Sequence, residues 1–436
     1  MNHQQIAYLC GYFTRCNDIC DEQLSRQGWQ REQLDTDKIE GSKRVFYPEF
    51  VDFCYGGEVG CTAYTLPLSK QLALEFRGQH YDYQLLELAL YLMPQQMVLF
   101  SVKISQEADD LNAFTATLFS LRAIDYYTPD VHQSFIDTAI NPLKTAYQLL
   151  TGSMPDSLSS LVENGNKLRV YQVINTTDAT LRPEDDEARS MLLYQLGTLS
   201  KVTKDGETDE YSVAEDYLKR IMDENRITVF RNWDALALMD TFTMHAYGLS
   251  PGIIDNWQGT YFRMIYLHAL FQKCYLFNLN ARFRQSLRKS LSPFARLRGL
   301  LNVSNSEIGE LTEEYEQFER WCCFHKISYN FLPLELNEAI DKGLEIGEEQ
   351  EQLAGVLEKE KNRRDAANDK MVNTLLFCLS ILTLASAIWD LTCLLDQMYP
   401  YSDYLGSTIL GYRTVTLLVL LLLGGVLYLL FHRKKK

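Results

Sequence analysis

Two groups of residues in this 436-residue chain have the types and spacing to do chemistry. The first is built around Asp390. It stands at the end of a nineteen-residue stretch without a charge, residues 371–389, which carries Asn373, Ser380 and Thr383, and Thr392 follows two positions later. Hard cations are held by oxygen ligands, so a carboxylate with amide and hydroxyl oxygens behind it makes an ion pathway. Asn373, Ser380, Thr383 and Ala387 recur at helical spacing on roughly one face. Asp390 is the group expected to touch a metal ion. The plainer alternative is that Asp390 is simply the first solvated residue beyond an apolar run. The second group lies in residues 229–247: Arg231, Asn232, Trp233, Asp240 and Thr241. A guanidinium suits a phosphate, an amide a hydrogen bond, an indole a stacked base, and Asp-Thr a ribose or amine. The segment follows a predicted strand, where ligand sites gather. Its plainer alternative is an amphipathic strand-to-helix connection with a core tryptophan.

Enzyme chemistry finds little support. There is no phosphate-binding P-loop, no HExxH, no GxSxG and no strand-borne GxGxxG. The glycine-rich run 55–61 lacks the lysine and helix start of a phosphate cradle and reads as a turn. The seven histidines are scattered. Cys10, Cys16 and Cys20 match no common zinc spacing, and neither does Cys322-Cys323-Phe324-His325. These cysteines are expected to pack as reduced thiols. No catalytic residue is assigned, the chain is not expected to be an enzyme, and no cofactor is required.

The elements that position both groups follow from the apolar pattern. Residues 371–389 and 414–431 are each long enough to cross a hydrocarbon layer of about 30 Å. The flanks carry Lys359, Lys361, Arg363, Arg364 and Lys370 before the first run, and Arg433 with three lysines after the second. The loop between holds Asp390, Asp396 and Asp403 against Arg413. The positive-inside rule then puts both termini in the cytoplasm of a two-pass inner-membrane protein. The first residues show no signal-peptide pattern.

Ahead of the spans, residues 96–104, 167–174 and 226–231 read as strands, and 109–122, 129–150 and 187–199 as helices. The fold class is therefore α+β. The expected order is a cytoplasmic α/β domain over 1–250, a helical region over 251–333, a stalk helix over 334–370, a span over 371–389, an outer loop over 390–413, a second span over 414–431 and a basic tail over 432–436. Residues 255–291 read as one helix. From Leu334 nothing stops the helix before Trp389, a length of about 84 Å.

Residues 256–306 contain eight basic side chains and no carboxylate, whereas 307–360 hold fifteen carboxylates against four basic groups. Pairing of these blocks, within or between subunits, is the plain expectation. A ligand-binding basic stretch and a cation-responsive acidic stalk are the sharper one. The acidic whole, with a formal charge of −15, argues against direct binding of nucleic acid.

This layout resembles the CorA family of divalent-cation channels. The residues that carry the likeness are Trp389 in the place of the family's aromatic residue, Gly411-Tyr412 before the second run, and the basic residues 433–436. Asp390-Leu391-Thr392 stands where the family has Gly-Met-Asn. The resemblance implies a homo-oligomer, a pentamer, forming a funnel in the lipid membrane, with a ring of Asp390 carboxylates at the pore mouth and Mg2+ or another divalent cation as its ion. A carboxylate ring would bind cations directly, which does not support the family's selectivity for hydrated magnesium. Members lacking Gly-Met-Asn occur beside type III CRISPR loci and look like antiviral effectors gated by an adenine-nucleotide messenger, an adenylate of S-adenosylmethionine (SAM-AMP). The expectation is thus a ligand-gated channel. Its alternatives are a constitutive divalent-cation transporter with altered selectivity and a membrane-anchored sensor or scaffold that conducts nothing.

Overall fold

A computed structural model describes residues 2–16, 21–33, 35–56, 60–162, 167–203, 213–230, 232–259, 261–291 and 303–398. The second apolar run, the outer loop beyond 398, the basic tail and Arg231 lie outside the described residues. Contacts gather 1–353 into one compact unit and 354–436 into another.

The first unit is built on a nine-stranded sheet: β1 (His3–Thr14), β2 (Gln30–Arg31), β3 (Thr62–Phe76), β4 (Gln79–Leu92), β5 (Met97–Ala108), β6 (Arg169–Thr176), β7 (Arg226–Phe230), β8 (Trp233–Leu238) and β9 (Thr241–Tyr247). Their order is β2-β3-β4-β5-β1-β6-β9-β8-β7. Every described pairing is antiparallel except β6 with β9. β1 lies in the middle and is buried almost continuously from Ala7 to Phe13. A strand covered on both faces needs apolar residues at successive positions rather than in alternation.

Short helices α1 (Asp21–Arg26), α2 (Thr36–Lys43) and α3 (Pro48–Cys54) follow β1. One face of the sheet is covered by α4 (Asn112–Arg122), α5 (Pro129–Phe135), α6 (Asn141–Thr151) and α7 (Asp186–Thr198), with α8 (Glu215–Asn225) beyond. Ala7, Leu9, Phe13, Phe100 and Val102 meet Leu118, Leu143 and Leu150 there. Gly11 sits where any Cβ would stand 2.3 Å from the Phe100 ring, so the ring lies across the strand only because position 11 has no side chain. The opposite face is aromatic: Tyr8, Tyr171, Phe242 and Trp257 pack with Tyr266. α9 (Pro251–Gln258) and α10 (Phe262–Leu291) cover it. α11 (Val303–Cys322), α12 (Phe331–Gly343) and α13 (Ile346–Met398) complete the described helices.

The strands expected at 96–104, 167–174 and 226–231 correspond to β5, β6 and β7 over the described residues. Three expectations are corrected. Residues 255–291 are not one helix: α9 ends at Gly259, where a Cβ would lie 2.8 Å from the Asp255 carbonyl oxygen. Residues 229–247 are not a connection into a helix but hold the β8–β9 hairpin, turned at Met239 with φ +52°. The helix from Leu334 does break, at Glu345 with φ +57°, between α12 and α13. The break has a tertiary cause. Gly343 is pressed against Ala237 of β8, and its carbonyl accepts the Met239 N–H at 2.8 Å.

Candidate functional site

The Asp390 group lies on α13, whose 53 residues run about 80 Å. Ser380 Oγ donates to the Leu376 carbonyl at 2.8 Å, and Thr383 Oγ1 to that of Ser380 at 2.9 Å. Both hydroxyls are thus satisfied within their own helix. Asn373 and Asp390 are exposed. At about 100° per residue, positions 373, 380, 383 and 390 occupy an arc of about 100°. Position 392 lies some 200° around the helix from 390. The helix also does not stop at Trp389. It continues to Met398, which places positions 390 and 392 inside it rather than in a loop.

Among the described residues, no helix holds an apolar eighteen-residue window long enough to cross a membrane. The side chains at 371, 385, 388 and 389 are outside the description, as is all of 399–436.

The second group does not converge. Trp233 is 3% exposed, with its ring centroid 4.9 Å from that of Trp257, so it packs in the core and has no face free for a base. Asn232 stands exposed beside it, at the start of β8. Asp240 and Thr241 are at the other end of the hairpin, about 20 Å away along six residues of strand. Thr241 Oγ1 is spent on the carbonyls of Gly197 and Leu238.

Asp240 instead leads to a groove that the sequence did not reveal. Its Oδ2 lies 3.8 Å from Arg122 Nη2. Arg122 lines an open groove of about 550 Å3 with Phe76, Phe119, Tyr126 and Lys167. Phe119 and Tyr126 are 44% and 73% exposed, unusual for rings of that size. The Phe76 and Phe119 centroids are 6.1 Å apart, and the Arg77 guanidinium lies 5.1 Å and 5.8 Å from them. α4 brings Phe119 and Arg122 to one end, β3 brings Phe76, and the Leu168 N–H donates to the Arg122 carbonyl at 2.7 Å, which holds Lys167 alongside. Aromatic walls with three cations suit a flat, anionic molecule. The only sequence signal was an outward aromatic on an otherwise buried helix.

Ser120 and His132 close one side of this groove. Their geometry resembles a nucleophile with its base, Ser120 Oγ lying 2.9 Å from His132 Nε2. The tautomer argues otherwise. His132 Nδ1 accepts the Thr128 N–H at 3.2 Å, so the ring proton is on Nε2 and is donated to the serine. Burial also pushes the His132 pKa down, partly opposed by its bonds to Thr128 and Ser120. The pair is a packing contact rather than an acyl-transfer dyad.

Among the described residues, no three His, Cys, Asp or Glu side chains are grouped to hold a metal ion. No family model matches the chain, and no curated protein or solved structure matches it.

Proposed function

We propose that the chain is a homo-oligomeric, two-span membrane channel of CorA-like layout that opens when an adenine-nucleotide-like messenger occupies the groove at Arg122. The observation that carries the membrane part is the middle of α13. Val372, Leu375, Leu376, Phe377, Leu379, Leu382 and Leu384 are 49% to 65% exposed and point to several sides of the helix. A helix apolar on several sides is stable in lipid or against other chains, not in water. One such helix cannot enclose a conduit, so a pore needs several copies, with the arc of Asn373, Ser380, Thr383 and Asp390 turned inward. The groove supports the ligand part through its exposed rings and its cations.

The test is cation flux from liposomes holding the full chain, with and without Mg2+ and a panel of adenine nucleotides. The expected result is flux triggered by a nucleotide, with altered ion selectivity in Asp390→Asn and lost triggering in Arg122→Ala. Flux of Mg2+ that needs no nucleotide would return the chain to the constitutive transporters. No flux in any condition would leave an anchored scaffold.

A further inference from the structure

On the opposite face of the sheet from the groove, Arg263 enters the core from the first turn of α10. It is 8% exposed. Its Nη1 donates to the Tyr91 hydroxyl at 2.5 Å and its Nε to the Gly259 carbonyl at 3.2 Å. Its guanidinium carbon lies 4.6 Å from the Tyr8 ring centroid and 5.7 Å from that of Tyr91. Among the described residues no carboxylate comes within ion-pairing distance of it. Glu87 is the acid whose field reaches it. Lys103, over the other ring contact of Tyr8 at 5.6 Å, adds a second positive charge to the same region.

A guanidinium offers five N–H groups, and the two bonds above leave three unused. Burying a charge without a counter-ion is unfavourable, and tyrosine faces offset only part of that cost. Arg263 lies on the wall of a cavity of about 90 Å3, which Tyr91, Arg31, Thr62, Ala63 and Glu32 also line. Arg31 is exposed and pairs with Asp21 at 3.0 Å. Glu32 is the one carboxylate in the lining, and it too is exposed. The space takes a few water-sized groups, enough for a single oxyanion, and is a small fraction of the Arg122 groove. The start of the 30-residue helix α10 adds a partial positive charge on the same side.

We propose that this cavity is a binding site for a small oxyanion of the phosphate class, held by the Arg263 guanidinium, the Tyr91 hydroxyl and Arg31. The site does not depend on the channel reading, and it is distinct from the Arg122 groove.

The test is the melting midpoint of the full-length protein in detergent, in potassium phosphate and in potassium chloride of equal ionic strength and pH. Phosphate is expected to raise the midpoint of the wild type saturably, by about 3 °C. The rise should vanish in Arg263→Gln and also in Ala63→Leu, which fills the cavity and leaves the guanidinium in place. Should Arg263→Gln fail to fold, the wild type and Ala63→Leu decide the matter. No phosphate-specific rise in the wild type overturns the proposal. A rise that survives in Ala63→Leu places the anion elsewhere, at the groove or the surface, and overturns it equally. Acetate distinguishes the sources: a rise with both anions assigns any small oxyanion, including a carboxylate end group, and a rise with phosphate alone assigns a tetrahedral one.

Discussion

At the scale of single residues, the buried histidines set the acid limit of the fold. Thr176 Oγ1 bridges His3 Nδ1 at 2.9 Å and His245 Nε2 at 2.8 Å, and the Tyr247 hydroxyl lies 3.2 Å from His245 Nδ1. Burial, with His3 and Arg182 adding to it, pushes the His245 pKa down to about 3. Burial pushes His268 down to about 4, against the pull of its bond to the Cys322 carbonyl. Both rings are neutral in the folded chain and ionise near 6.5 once unfolded. Their contribution is therefore fully present above pH 6.5 and is lost as pH falls from there toward 4 and 3. At pH 5 each costs on the order of 2 kcal/mol of stability. Melting midpoints measured from pH 7 to pH 5 should fall steeply, and His245→Gln should flatten that fall. An unchanged slope would mean that the ring is solvated. Neither histidine is legible as a pH-sensitive residue, because burial comes from elements far apart in sequence, strands 69 positions apart for His245 and helices 54 positions apart for His268.

At the scale of elements, the joint between α12 and the β8–β9 hairpin brings helix and strand backbone into direct contact. A Cβ on Gly343 would lie 2.4 Å from the Ala237 carbonyl oxygen and 2.6 Å from its Cβ, with backbone on both sides. Gly343→Ala must therefore move the helix end. It should cost about 1–3 kcal/mol, seen as a lowered melting midpoint with the helix content retained. Gly355→Ala, where nothing lies within 4 Å of the new Cβ, is the matched control and should lose nothing.

The same joint shows what was legible in the sequence. β5, β6 and β7 were visible because their apolar runs are short and bounded by polar breaks. β8 and β9 were not, because a polar residue interrupts each: Asp234 and His245. Asp234 is tolerated in a buried strand only because Arg189 Nε lies 3.3 Å and Arg182 Nη2 3.4 Å from its carboxylate, contacts no local pattern announces. The helix read through Leu344 and Glu345 for a similar reason, since its stop is imposed by β8 and not by a proline. Asn232, Trp233, Asp240 and Thr241 are adjacent in sequence, but β8 separates the first two from the last two in space. The groove draws its lining from β3, α4 and the segment before β6, so no single stretch could reveal it.

At the scale of the whole molecule, the two opposite charge blocks have partners in each other. Arg282 meets Glu314 with two bonds, of 2.7 Å and 2.8 Å. Lys273 Nζ stands 3.4 Å from Glu349 and 3.9 Å from Glu345, at the start of α13. Pairs as exposed as Arg282 contribute little stability each, and their role is to fix register between helices. Among the described residues Arg263 forms no ion pair with the acidic block, and it lines the cavity with Tyr91 instead.

The contact between Arg122 and Asp240 has a consequence for the groove. Asp240 is tethered to the site, so it acts on Arg122 as an intramolecular competitor at high effective concentration. On the proposed reading an anion that pairs with Arg122 would compete with this contact. Asp240→Asn removes the competitor without removing the cation. Titration of the full chain with an adenine nucleotide should then show affinity raised several-fold in the variant, and equal affinities would mean that Arg122 is not what the ligand touches. On the proposed reading the aspartate would set a threshold: a ligand with more charge to offer than one carboxylate would gain the groove, and weaker anions would be turned away by a residue of the chain itself.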